Sequence, residues 1–143
     1  MPKQEQPIGF KIKQIHNVFE KDFNHMLKSI GITSSQCAVL DFLFTSSIEE
    51  ISQRDVEKHL SLKNPTVTGI MQRLDEKGFI FCVQSKTDKR KKVIFLTEKA
   101  YDIQRKMNTH RKKMDAILTR GMTAKEVQSF RKQLDKVMKN IDY

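Results

Sequence analysis

The sequence predicts a mainly α-helical protein with one small β-hairpin, and three observations carry that prediction. Apolar residues recur every three or four positions through most of the 143 residues. Helix-capping signatures fall between these periodic stretches. The period changes once, over residues 79–96, where two runs of aromatic and β-branched residues flank a charged tip. Helix, helix, short helix, turn, helix and hairpin, in that order, describe a winged helix-turn-helix with long helices on both sides.

The first helix follows Pro7, with Ile8, Ile12, Ile15, Phe19, Phe23, Met26, Leu27 and Ile30 on one stripe and Gly31 as its stop. Thr33-Ser34-Ser35-Gln36 has capping-box form and opens a second helix through Ala38, Val39, Leu40, Phe42 and Leu43. Ser46-Ser47 marks a break. Ser52-Gln53-Arg54-Asp55 caps a short helix that buries Val56 and Leu60. After Ser61-Leu62-Lys63, Asn64 is expected as N-cap and Pro65 as first helical residue of the next helix, because proline lacks the N–H that would be unpaired there. That helix buries Val67, Ile70, Met71 and Leu74 and stops at Gly78. Phe79–Gln84 and Val93–Leu96 are strands around the tip Ser85–Lys92. Thr97 caps a helix carrying Ile103, Met107, His110, Met114 and Ile117, which ends at Gly121. Thr123-Ala124-Lys125-Glu126 is a capping box for a last helix with Val127, Phe130, Leu134, Val137 and Ile141. No repeat or Pro/Gly-rich linker interrupts the chain, so residues 1–143 are expected to form one cooperative unit.

Composition narrows the function. Lys and Arg number 27 against 17 Asp and Glu, a formal charge of +10 that points to a polyanionic partner. The excess is local. Residues 79–120 hold twelve basic and four acidic side chains, whereas residues 52–78 hold five and four. No apolar run is long enough to span a membrane, and Met1–Pro7 has no apolar segment of the secretory kind, so a cytoplasmic location is expected. Cys37 and Cys82 sit in apolar contexts and are expected as small core residues in a reducing compartment. No Ser/His/Asp set, phosphate loop, paired carboxylates or metal-ligand spacing supports an enzyme, and no cofactor is expected. His16, His25, His59 and His110 form no i,i+4 pair.

On a helical wheel the face opposite Val67, Ile70, Met71 and Leu74 is centred on Pro65, Gly69, Gln72 and Glu76. Thr66 and Arg73 lie along one edge and Thr68 along the other. Such a face suits the major groove, since small polar groups reach base edges and Gly69 permits close backbone approach. Arg73 suits either bidentate pairing with guanine, worth ~1–3 kcal/mol of discrimination, or a phosphate contact. The competing reading is a merely solvated helix face. The hairpin tip carries Lys86, Lys89, Arg90, Lys91 and Lys92 beside Asp88. It reads either as a minor-groove anchor, with Asp88 orienting Arg90, or as a lysine-rich edge that resists aggregation.

These same residues carry a resemblance. Ile51–Val56, Asn64–Thr68 and Arg73–Gly78, with Asp88-Lys89-Arg90 and Leu96-Thr97 beyond, resemble the multiple antibiotic resistance regulator (MarR) family. Ile32–Gln36 and Val39-Leu40 match its second helix. The resemblance spans nearly the whole chain and implies a two-fold dimer of transcription regulators. Residues 33–99 would form the DNA-binding winged helix-turn-helix, and residues 8–30 and 100–141 the dimerisation helices. Matching positions put Thr66, Thr68 and Arg73 at the major groove and Arg90 in the minor groove, with Asn64, Pro65, Gly69, Gln72, Lys89 and Lys91 beside them. Two features depart from the family. Ala100 replaces its usual glycine, which implies looser packing there. No cysteine precedes Cys37, so the family's peroxide-sensing chemistry is not implied.

The apolar stripes of the first and last helices exceed what a winged helix of this size can cover, and isologous pairing of two copies would bury them. The expected partner is then double-stranded DNA bearing a pseudo-palindromic operator, with half-sites ~10 bp apart. The resemblance also implies a small aromatic or amphipathic effector. Phe19, Phe23, Met26 and Phe42 are its candidate lining, against the simpler reading that each is ordinary core. The sequence therefore predicts a dimeric, sequence-specific DNA-binding regulator, a repressor relieved by such a ligand. The alternative is a non-specific architectural DNA- or RNA-binding protein, whose binding would be competed away by random DNA and lost steeply with salt.

Overall fold

Among the described residues, 3–142 of a computed structural model, six helices and one two-stranded sheet follow in the expected order. Helix α1 spans Ile8–Ser29, α2 Ser34–Thr45, α3 Gln53–Leu60 and α4 Asn64–Glu76. Strands β1 (Ile80–Gln84) and β2 (Lys92–Leu96) precede α5 (Glu98–Leu118) and α6 (Ala124–Ile141). Of the opening stretch read for a secretory segment, Met1 and Pro2 lie outside the described residues. No helix among those described is long and apolar enough to cross a membrane. The chain groups into two compact units, Met1–Met107 and Asn108–Tyr143.

In the first unit, three helix starts follow from side-chain chemistry. Thr33 accepts from the Gln36 N–H at 3.2 Å while Gln36 Oε1 accepts from the Thr33 N–H, a reciprocal capping box. Asp55 Oδ2 accepts from the Ser52 N–H at 2.8 Å and opens α3 in the same way. The Thr97 hydroxyl accepts from the Ala100 N–H at 3.3 Å at the start of α5. The start of α4 differs from expectation by one residue. Lys63 is the extended N-cap, Asn64 is already helical, and its side-chain amide reaches back to Glu57 Oε2 at 3.3 Å instead of capping its own helix.

The turn between α3 and α4 closes with the Leu62 N–H on the Glu57 carbonyl (3.1 Å) and the Ser61 N–H on the Lys58 carbonyl (3.4 Å). This crossed pair requires a left-handed residue, and Ser61 supplies it at φ 51°. The α4 terminus uses the same pair of bonds, from Phe79 to Leu74 and Gly78 to Asp75, with Gly78 at φ 80°. There the residue type suits the backbone; at Ser61 it does not.

The core joins α2, α3, α4, the hairpin base and the start of α5. Leu40, Val56, Val67 and Leu74 are fully buried, with Leu27, Phe79, Ile80, Ile94 and Met107 around them. The sheet is antiparallel, pairing Ile80 with Leu96, Phe81 with Phe95 and Val83 with Val93. A bond from the Ile94 N–H to the Ile51 carbonyl at 2.8 Å joins β2 to the segment before α3. Two residues depart from the sequence expectation. Ala100 is 0% exposed, so its methyl group is absorbed by a closed core rather than marking looser packing. Cys37 is buried as expected, but Cys82 is exposed, because the core covers only the first residue of β1. Partial burial and the nearby Asp75 carboxylate still push the Cys82 thiol above its ordinary pKa, against the pull of Lys92.

In the second unit, Thr123 and Glu126 form the reciprocal capping box at the start of α6. Arg131 reaches Asp115 Oδ2 at 3.3 Å. The apolar stripe of α6 is present, yet no residue of this helix is buried. Phe130, Leu134, Val137, Met138 and Ile141 are all exposed.

Candidate nucleic-acid interface

The buried stripe of α4 fixes what its opposite face can offer. With Val67, Met71 and Leu74 in the core and Ile70 half-buried, Asn64, Pro65, Thr66, Thr68, Gly69, Gln72 and Arg73 are all exposed. The distribution read from the wheel therefore holds residue by residue. A Cβ added at Gly69 would meet nothing within 4 Å, so this helix presents a bare strip of backbone to solvent. Two polar side chains on the face are already held. The Gln53 amide donates to the Thr68 hydroxyl at 2.8 Å, and the Gln72 amide to Glu76 Oε1 at 3.4 Å.

The wing tip is built around Ser85, buried although polar. Its hydroxyl accepts from the N–H groups of Thr87 and Asp88, both at 3.2 Å, and donates to Glu50 Oε2 at 3.1 Å. The Ser85 N–H to Lys91 carbonyl bond (2.8 Å) and the Lys91 N–H to Asp88 carbonyl bond (3.0 Å) close the turn. Asp88 Oδ1 then accepts from both the backbone N–H and the Nε–H of Arg90, at 3.0 and 3.3 Å. The expected orienting role of Asp88 is thus realised as a short carboxylate clamp on a side chain that is 92% exposed. Arg90 stands out from the protein with one edge of its guanidinium engaged and its remaining donors directed to solvent. Lys89 is exposed beside it and Lys91 half-buried.

Between α3 and the wing lies a polar concavity of about 930 Å³, whose cationic lining is Arg54, Lys58, Arg90, Lys91 and Lys92. Sequence reasoning picked out the wing residues but not Arg54, Lys58 or Gln53. Their only sequence signal is position at the solvent side of the first helix of the helix-turn-helix. The Asp55 carboxyl in the same wall is held below its ordinary pKa, first by the Ser52 N–H and further by the Ser52 hydroxyl, Lys91 and Lys58, against the cost of burial.

The candidate ligand-lining residues fall into two groups. Phe42 is core, stacked on His59 with ring centroids 4.3 Å apart. Phe19, Phe23 and Met26 are half-buried on α1, with Phe19 and Phe23 stacked at 6.0 Å. The concavity of about 650 Å³ on α1 is lined by other residues, among them Val18, Asp22, His25 and Lys28.

Comparison with known proteins agrees with this architecture. Residues 21–107 match the family model described as transcriptional regulator SarA/Rot. The chain is 30% identical over 120 residues to the HTH-type transcriptional regulator YwoH of Bacillus subtilis, covering 84% of this chain and 85% of YwoH. Among solved structures it resembles MepR, a transcription regulator of the Staphylococcus aureus multidrug efflux pump MepA. The TM-score is 0.82 at 20% identity, covering 96% of this chain and all of MepR. The S. aureus MepR–DNA complex gives 0.73 at 20% identity over 98% of this chain and all of that one. MarR from Oenococcus oeni PSU-1 gives 0.62 at 26% identity over 93% and 99% of the two chains. A winged helix-turn-helix whose α4 turns a polar face outward beside a clamped, exposed Arg90, and whose sequence matches over these spans, belongs to the SarA/Rot family of MarR-like, DNA-binding transcriptional regulators.

Proposed function

We propose that this regulator acts in the cytoplasm as a homodimer on a pseudo-palindromic double-stranded DNA operator and represses by occluding a promoter. The observation that carries the reading is the pairing, within one compact unit, of the exposed polar face of α4 with the exposed guanidinium of Arg90. Thr66, Thr68, Gln72 and Arg73 would meet base edges, with Asn64, Pro65 and Gly69 at the close approach of the helix. Arg90 would enter the minor groove, and Lys89 and Lys91 would hold phosphates. That MepR has been solved with DNA supports the same mode here.

The homodimer is supported by apolar surface that an isolated chain leaves wet. Ile8 is 76% and Val18 68% exposed on α1, and the stripe of α6 is exposed from Phe130 to Ile141. Most helical stability comes from packing an amphipathic face, and α6 has no buried residue, so it needs a covering surface. Residues 8–30 and 100–141 would provide the paired surface, and 33–99 the DNA-binding part. The half-buried Phe19–Phe23 stack with Met26 supports a small aromatic or amphipathic effector that relieves repression, and Phe42 would act on such a site from the core.

Selection of bound sequences from a random duplex pool tests the reading. An enriched two-fold motif with half-sites ~10 bp apart is expected. A pool that stays random would favour the non-specific architectural alternative, which the cationic wing alone could serve. Light scattering should return a dimer mass; a stable monomer at micromolar concentration would remove the two-fold operator.

A further inference from the structure

The hydrogen bond from Gln53 to Thr68 does more than tie two helices together. A threonine hydroxyl has one proton and two lone pairs. Thr45 and Thr119, at helix ends, each donate that proton to the carbonyl four residues back, Asp41 and Asp115, at 2.7 Å. Thr68 lies inside α4 and is exposed, yet no acceptor among the described residues takes its proton. Instead its oxygen accepts from the Gln53 amide at 2.8 Å, across 15 residues of sequence and from the neighbouring helix. One lone pair is thereby occupied on the protein side, and the proton and the second lone pair are left for the outward side; accepting the Gln53 bond polarises the O–H and makes it a better donor than that lone pair is an acceptor.

We infer that Gln53 is a positioning residue that biases Thr68 toward donating a hydrogen bond to DNA, so that a base with a major-groove acceptor is favoured opposite Thr68. The inference rests on the proposed role of α4 in reading bases. At the centre of the major groove guanine and thymine present a keto oxygen, O6 or O4, whereas cytosine and adenine present an amino group, N4 or N6. A hydroxyl biased toward donation favours keto over amino. A hydroxyl free to rotate accepts either. Gln53 would thus set a base preference without touching DNA, from a helix that would not be counted among the reading elements.

The substitution Gln53→Glu reverses the polarity with nearly the same shape. A carboxylate only accepts, so Thr68 would spend its proton on Glu and turn lone pairs outward, which suits an amino group. Gln53→Ala would release the hydroxyl altogether. The full-length chain and its Thr68→Val, Gln53→Glu and Gln53→Ala variants would each be put through selection from the same random duplex pool, with circular dichroism melts alongside. Thr68→Val should flatten one position per half-site and so identify the base that Thr68 faces. At that position the wild type should favour keto bases by about fivefold. Gln53→Glu should favour amino bases to a similar degree, Gln53→Ala should show less than about twofold preference, and other positions should keep their pattern.

Retention of the keto preference in both Gln53 variants would overturn the inference. So would a uniform loss of affinity across all sequences, which would assign Thr68 or Gln53 to a phosphate. So would a Thr68→Val pool identical to the wild type. A wild-type pool without enrichment would instead remove the base-reading role of α4 on which the inference stands. If Gln53→Glu fails to fold, Gln53→Ala carries the test through loss of the preference.

Discussion

Between Asn64 and Glu76 the exposed face of α4 offers hydroxyls, amides and one guanidinium, while the wing tip between Lys86 and Lys92 gathers five cations around one carboxylate. Both belong to the same compact unit, and they differ in how their side chains are held. On α4, Thr68 and Gln72 are fixed by neighbouring side chains. At the tip it is chiefly the backbone that is fixed, through Ser85 and Asp88, with Arg90 clamped by Asp88 among the lysines. Base readout needs groups whose donors and acceptors point in set directions; phosphate attraction needs charge at roughly the right place. The division of +10 along the chain fits this contrast, since the excess charge lies with the wing while the hydroxyls and amides lie on the nearly neutral helix-turn-helix.

Substitutions that strip one region and leave the other would break or sharpen the comparison. The largest effect is expected from Arg90→Ala with Lys91→Ala. Losing two cations per protomer should weaken DNA binding about 100-fold at moderate salt and lower the salt slope by about 2 for each protomer bound. Sequence preference at major-groove positions should persist. Fluorescence anisotropy across a salt series checks this, and unchanged binding would refute the wing assignment. Arg73→Ala should cost about tenfold on a selected operator and far less on random DNA, with a change in salt slope of about 1 or less. Equal losses on both DNAs would place Arg73 with the phosphate-binding cations instead.

Smaller effects are expected in the scaffold beneath the two regions. Asp55→Ala removes the reciprocal cap of α3 and should cost about 1 kcal/mol at neutral pH in urea unfolding. Its pH dependence has a definite sign. Asp55 is held below its ordinary value of 3.8, so the unfolded chain takes up the proton more readily. The stabilisation is complete above that value and is lost as pH falls through the lowered one. The wild-type advantage over the Ala variant should therefore shrink only in acid; an advantage unchanged at acidic pH would contradict the cap. Ser61→Gly should act in the opposite direction and least. Relief of a left-handed residue, less the added freedom of glycine in the unfolded chain, should raise stability by about 0.5 kcal/mol. A lower urea midpoint would show that the Ser61 side chain matters in the turn.

The parts of the molecule legible in the sequence are those set by neighbours a few residues away. Thr33 with Gln36, Ser52 with Asp55 and Thr123 with Glu126 lie three apart and cap as their spacing requires. Asp88 and Arg90 lie two apart on one turn, and the outward face of α4 follows from 3.6-residue periodicity. What could not be read depends on chain segments meeting from afar. Arg54 and Lys58 join the wing cations only because α3 packs beside the hairpin. Gln53 finds Thr68 only once α3 and α4 cross. Cys82 misleads because the apolar run Phe79–Val83 suggests burial throughout, whereas only Phe79 and Ile80 are covered. Asn64 and Pro65 form a good helix start on paper, but Lys63 is the N-cap and the Asn64 amide is engaged by Glu57 rather than by its own helix.

The bond from the Ile94 N–H to the Ile51 carbonyl gives β2 a second, non-hairpin partner immediately before α3. A two-stranded ribbon alone would open and close on its own, and its amides would trade protons with water quickly. With Ile94 anchored to Ile51 and buried, that amide can exchange only when the wing separates from the helix-turn-helix. Hydrogen exchange at this single position therefore times the coming apart of the wing and the helix-turn-helix, and its slowing on operator DNA would measure how far binding locks them together.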